Sequence, residues 1–73
     1  MQFSDETILR QGFKYRVYVV NTSGRDWGHV LRNGEEICRK SEAGGESRLP
    51  LVLALELRRR VEAGEFDQVS IGA

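Results

Sequence analysis

Cysteine and proline are nearly missing from this 73-residue chain, which has one of each, Cys38 and Pro50, and a single histidine, His29. A lone cysteine excludes an internal disulfide, and one Cys with one His falls short of the three or four ligands that zinc requires. A chain this short also buries only roughly 60% of the surface its unfolded form exposes, which leaves little room for an enclosed substrate cavity. Charge of one sign is lacking as well: 11 Lys and Arg stand against 11 Asp and Glu. Phosphate contacts require a basic surplus over the chain or on one face, so the balance argues against nucleic acid as a partner. No apolar run approaches the ~20 residues of a membrane span, and the first twelve residues lack the basic start and apolar stretch of a signal peptide. The expectation is one soluble, cytoplasmic domain over residues 1–73, with no membrane contact, cofactor or metal. Without staples of its own, it is held by its core or by a second subunit.

What is present reads first as strands. Phe13 to Val20 is rich in Tyr and Val and lies between Gly12 and the turn-forming run Asn21, Thr22, Ser23, Gly24. The two-residue period puts Phe13, Tyr15, Val17 and Val19 on one face and Lys14, Arg16, Tyr18 and Val20 on the other; the first set is the better core face. Asn33-Gly34 joins Trp27–Arg32 to Glu35–Lys40 as a hairpin, because both residues accept the positive φ of a type I′ turn. A regular register pairs Val30 with Ile37 on one face and His29 with Cys38 and Trp27 with Lys40 on the other. The Val30 and Ile37 face is taken as core, with Trp27 half covered by the Lys40 stem.

Beyond a polar loop at Ser41–Glu46, Ser47 and Pro50 predict a helix start and Gly64 its end, with strong helix formers from Leu51 to Ala63. Gln68–Ile71 reads as a short last strand, and Ser4 could open a short N-terminal helix anchored by Ile8 and Leu9. The expected class is α+β, in the order β-β-β-α-β with that optional helix: a three-stranded meander plus a C-terminal strand, packed on one main helix.

At 100° per residue, Leu53, Ala54, Leu57 and Val61 share the stripe that docks the helix. Leu51, Val52 and Leu55 point away from it. Either Ile8, Leu9 or Phe66 folds over them, or they form a dimer or partner contact rimmed by Arg58 and Arg59. The Arg58, Arg59, Arg60 run is offset by Glu56 and Glu62 at helical spacing, so it reads as a solvated, ion-paired helix end.

Gln11, Gly12, Phe13, Lys14, Tyr15, Arg16, Val17, Tyr18 is similar to the aromatic strand motif of RNA-recognition domains, whose sheet aromatics stack on bases. Gln11 replaces a basic residue there, Lys14 a small one and Arg16 an aliphatic one, and the second long helix of that fold is missing. A three-stranded sheet followed by a helix is also similar to the DNA-binding domains of a family of plant transcription factors and of some integrase arms. Both resemblances imply a sheet-face nucleic-acid site at Lys14, Arg16 and Tyr18, kept as the alternative function. His29 and Cys38, opposite each other in the regular register, are the only pair that could supply a base and a nucleophile, with Asp26 or Glu36 to orient the imidazole. The chain offers no strand-to-helix elbow for an oxyanion hole, so catalysis is not expected. The leading expectation is a non-enzymatic protein-binding module acting by surface occlusion through Leu51, Val52, Leu55, Arg58 and Arg59. In size and plan it is similar to accessory or inhibitory proteins of phages and mobile elements, anti-CRISPR proteins among them.

Overall fold

Three two-residue turns, Gln11-Gly12, Ser23-Gly24 and Asn33-Gly34, each have positive φ at both positions (51° and 79°, 55° and 77°, 52° and 88°). That backbone matches the twist of antiparallel strands, so each pair closes a tight hairpin. The computed structural model describes residues 2–43 and 50–68. The hairpins string four strands into one meander: β1 (Gln2–Arg10), β2 (Phe13–Thr22), β3 (Arg25–Arg32) and β4 (Glu35–Ala43), in that spatial order and all antiparallel. The helix α1 (Pro50–Glu62) follows and lies chiefly over β2, with lesser contact on β1 and β3. No helix among the described residues is long and apolar enough to cross a membrane.

The α+β class holds, but the order is β-β-β-β-α. The N-terminal helix expected at Ser4 is instead strand β1, whose Ile8 lies opposite Tyr15 and whose Leu9 lies opposite Lys14. Pairing through the Gln11-Gly12 turn overrides the weak helical signal of a nine-residue segment. The last strand expected at Gln68–Ile71 falls mostly on residues 69–71, outside the described residues; Gln68 itself sits in a turn. Ser41 to Ala43, expected in a loop, extends β4.

The core lies between sheet and helix. Tyr15, Val17, Val19 and Val30 from the sheet meet Leu53, Ala54, Leu57 and Val61 of α1, with Phe66 closing one end. Of the core face expected for β2, Tyr15, Val17 and Val19 are buried and Phe13 is partly buried against the core; the docking stripe expected for the helix is buried. Gly28 is the point of closest approach: a Cβ there would sit inside contact distance of Leu57 Cδ1 and 3.2 Å from Leu53. The missing side chain therefore lets α1 lie directly on β3. At the helix end, Gly64 N–H donates to Val61 O (3.0 Å) and Glu65 N–H to Arg60 O (3.2 Å), the paired bonds of a Schellman cap.

That cap turns the chain back to the sheet. Asp67 accepts from Tyr15 Oη at 2.6 Å and from Arg10 Nε at 3.0 Å, while the buried Arg32 donates to the carbonyls of Phe66 (2.6 Å) and Asp67 (3.1 Å). Burial first, and then the Asp67 carboxylate, push the Tyr15 hydroxyl above the usual tyrosine range. Lys40 of β4 meets Glu56 at 2.8 Å and Arg58 meets Glu6 of β1 at 3.5 Å, so ion pairs tie the helix to both outer strands.

Candidate functional site

One face of the sheet carries the helix, and the other has nothing packed on it among the described residues. The open face is set by the register: Asp5 lies opposite Tyr18, Thr7 opposite Arg16 and Leu9 opposite Lys14. On the next pair of strands Arg16 faces Leu31, Tyr18 faces His29 and Val20 faces Trp27. On the last pair Trp27 faces Ser41, His29 faces Arg39 and Leu31 faces Glu36.

A bulge in β4 decides this arrangement. Between Val30 and Leu31 the register slips, so Val30 lies opposite Cys38 while Leu31 lies opposite Glu36, with Ile37 as the extra residue. The extra residue lets Ile37 and Cys38 both pack against the core. It also reverses the parity of all that follows: Arg39 goes to the open face and Lys40 to the helix side, where it reaches Glu56.

Two expectations are corrected by that slip. Cys38 is not opposite His29; it lies against Val30 on the helix-covered face, so the nucleophile and base of the supposed dyad sit on opposite faces of the sheet. Of its two candidate partners, Glu36 does bond His29 Nδ1, whereas Asp26 is buried and accepts from Asn21 Nδ2 at 2.9 Å. Trp27 is covered by the guanidinium of Arg39, 5.8 Å from its ring centroid, and not by the Lys40 stem.

The open face holds a connected row of side chains across all four strands. Arg16 makes a two-pronged contact with Asp5, at 2.9 and 2.6 Å, and its guanidinium carbon stands 4.8 Å over the Tyr18 ring. Tyr18 stacks on His29 with centroids 4.7 Å apart and planes 16° from parallel, and His29 ends the row on Glu36. The bond to Asp5 is the main reason that Arg16 is held above the ordinary arginine range. Beside the row, Lys14, Arg16, Leu31, Asn33 and Gly34 line a shallow depression of about 550 Å³. Asn33 closes it by accepting from Lys14 N–H at 2.9 Å and donating to Lys14 O at 2.8 Å.

Lys14, Arg16 and Tyr18 thus share one face. Phe13 and Tyr15 of the same stretch lie on the other side, packed into or against the core, so they are not available to stack on bases as the RNA-recognition resemblance implied. The open-face rings are Tyr18 of this stretch and Trp27 and His29 of β3, with Arg25 of β3 and Arg39 of β4 beside them. The residue pattern of β3 carried this signal: Arg25, Trp27, His29 and Leu31 alternate with Asp26, Gly28, Val30 and Arg32.

The residues expected at a protein contact lie on the far side of α1. Leu51, Val52 and Leu55 are 58%, 42% and 44% exposed. Of the three residues considered as their cover, Phe66 is buried in the core, Ile8 packs against it, and Leu9 is 78% exposed on β1. Arg58 pairs with Glu6 and Glu62, while Arg59 makes no ion pair among the described residues. Glu56, expected to offset Arg60, pairs with Lys40, and Arg60 pairs with Glu65. Among the described residues no group of three or more His, Cys, Asp or Glu side chains comes together as a metal site. No protein-family model, curated protein or solved structure matches the chain.

Proposed function

We propose that this chain is a non-enzymatic, cytoplasmic binding module whose open sheet face binds nucleic acid. The observation that carries the reading is segregation of charge by strand parity. Among the described residues, Lys14, Arg16, Arg25 and Arg39 share the open face with two carboxylates, Asp5 and Glu36. The neutral total of the chain conceals this surplus, because the compensating acids lie elsewhere: Glu6, Glu42, Glu56 and Glu62 pair with Lys40 and Arg58 about the helix. Three rings, Tyr18, Trp27 and His29, stand among those cations, and cations interleaved with aromatics on a surface suit phosphates and bases together. Binding of labelled DNA and RNA at low salt tests it. Affinity should fall steeply with salt and be lost in Lys14→Glu with Arg39→Glu. Failure to bind any form of nucleic acid at about 50 mM salt overturns it.

A second reading is favoured by a separate observation, the three exposed aliphatic side chains Leu51, Val52 and Leu55 at the start of α1. Apolar groups clustered on a helix suit a protein partner or a second copy, with Arg59 at the rim, as an accessory or inhibitory protein of the phage kind would use. Capture of a defined complex that is lost in Leu55→Glu but kept in Lys14→Glu would favour this reading over the first.

A further inference from the structure

We infer that the occupant of the open face is a single strand, DNA or RNA, and not a duplex. The inference rests on the nucleic-acid reading above and adds the form of the ligand.

Width argues first. Four strands at about 4.8 Å spacing put the outer strand axes roughly 14 Å apart before side chains are added. The major groove of a duplex is about 12 Å wide and admits a helix or a two-stranded ribbon. This face is too broad to enter it. The one helix among the described residues is on the opposite side of the sheet and its cations are largely committed: Arg58 to Glu6 and Glu62, Arg60 to Glu65.

The set of the side chains argues second. Reading base edges in a groove needs long side chains projecting from the surface. Here Arg16 lies over Tyr18 and is forked onto Asp5, and Arg39 lies beside Trp27. What the face presents instead is flat surfaces. The column Arg16, Tyr18, His29 is a preassembled stack whose ends are a guanidinium plane and an imidazole. Trp27 stands two residues along β3 from His29, roughly 7 Å away by strand rise. Unpaired bases stack on aromatic and guanidinium planes, whereas the bases of a duplex are already stacked on one another. Lys14 and Arg39, which make no ion pair among the described residues, flank the column on either side and suit the phosphates. Arg25, bonded to Ser41 Oγ at 2.7 Å, extends the basic line past Trp27.

Trp27 is the only tryptophan of the chain, so its fluorescence reports the proposed contact directly. The full-length protein is titrated at low salt with oligothymidylate and oligouridylate of about 12 nucleotides and with a duplex of equal length. Saturable quenching by the single strands is expected, with affinity at least about tenfold above the duplex; the two oligonucleotides separate DNA from RNA. Trp27→Leu, followed by anisotropy of a labelled strand, should weaken single-strand binding roughly 5- to 100-fold, and Trp27→Phe should restore most of it. A circular dichroism melt of each variant confirms that the fold is kept. Lys14→Gln with Arg39→Gln gives a second reading, since it should flatten the salt dependence while replacing no ring. Duplex binding as tight as single-strand binding overturns the inference and leaves the nucleic-acid reading standing. Single-strand binding unchanged in a folded Trp27→Leu also overturns it. No binding of any nucleic acid overturns both.

Discussion

The helix-covered and open faces of the sheet are made from alternate residues of the same four strands, yet they solve different problems. On the covered face the buried polar groups are few and fully engaged: Arg32, Asp26 and Tyr15 each have a partner, and no buried side-chain nitrogen or oxygen of the described residues is left without one. On the open face the contacts run sideways, from Asp5 to Glu36 through Arg16, Tyr18 and His29, and they remain at the edge of water. An exposed cation or ring can exchange its neighbour for a ligand at little cost, whereas a buried group that loses its partner incurs the full desolvation penalty. Stability should therefore reside on one parity of each strand and binding on the other.

The largest effects should come where the covered face meets the helix. Leu57 is fully buried, and Leu57→Ala is expected to cost about 2 to 5 kcal/mol. Gly28→Ala should cost about 1 to 3 kcal/mol by pushing Leu57 and Leu53 off the sheet. Urea unfolding measures both. Arg16→Ala, of opposite parity, is expected to change stability by no more than about 1 kcal/mol. Equal losses at Gly28 and Arg16 would break the division between the faces.

Next comes the clasp at Asp67, a long-range polar tie of the covered face. Asp67→Ala strips Tyr15 Oη and Arg10 of their acceptor, and a loss of about 1 to 3 kcal/mol is expected. The same clasp has a pH signature. The folded chain holds the Tyr15 proton more tightly than the unfolded chain does, so the stabilisation is complete below about pH 10 and declines as pH rises through and beyond that value. Lys40, raised chiefly by its bond to Glu56, contributes in the same direction. Melts from pH 8 to about pH 11 should show an alkaline decline that is shallower in Tyr15→Phe. An unchanged slope would remove Tyr15 from the account.

How much of this was legible in the sequence follows from the same parity. The face of β2 and the docking stripe of the helix are simple periods, and each has a run of Val, Tyr or Leu to mark it. β1 was missed because Gln11-Gly12 is a weaker turn signal than Asn33-Gly34, although both adopt the same positive φ pair. The site was half legible: Lys14, Arg16 and Tyr18 follow from the period of β2 alone. Trp27 and His29 follow from the alternation of β3, whereas Arg39 required the register of the β3–β4 hairpin, which a single inserted residue, Ile37, shifts. Periodicity cannot place a bulge, since the gain that fixes it is the packing of Ile37 and Cys38 against a core assembled from several elements. The neutral charge total misled for a related reason, because totals carry no information about faces.

On the open face the expected stability changes are smaller and the binding changes carry the information. Asp5 occupies the Arg16 fork as a phosphate oxygen pair would. Asp5→Asn should therefore lower stability by no more than about 1 kcal/mol while strengthening nucleic-acid binding several-fold at low salt. Weaker binding in a folded Asp5→Asn would mean that Asp5 serves to position Arg16 and does not compete for it.

The smallest expected effect on stability lies at Leu55, and it decides the second reading. Leu55 and Leu57 are two residues apart on α1, but one is 44% exposed and the other fully buried. Leu57→Glu would place a carboxylate among Leu53, Val30 and Val61 without a partner, and the domain should unfold. Leu55→Glu should change stability by no more than about 0.5 kcal/mol, because the side chain already borders water. The comparison becomes sharper in sedimentation. If Leu51, Val52 and Leu55 form a contact between copies, the wild type should sediment as a dimer at high concentration and Leu55→Glu as a folded monomer. If both chains are monomers with equal nucleic-acid affinity, the exposed aliphatic start of α1 has no part in self-association. Unfolding of Leu55→Glu would instead show that the chain itself covers this surface, and the interface reading of the helix would be lost while the open sheet face kept its own.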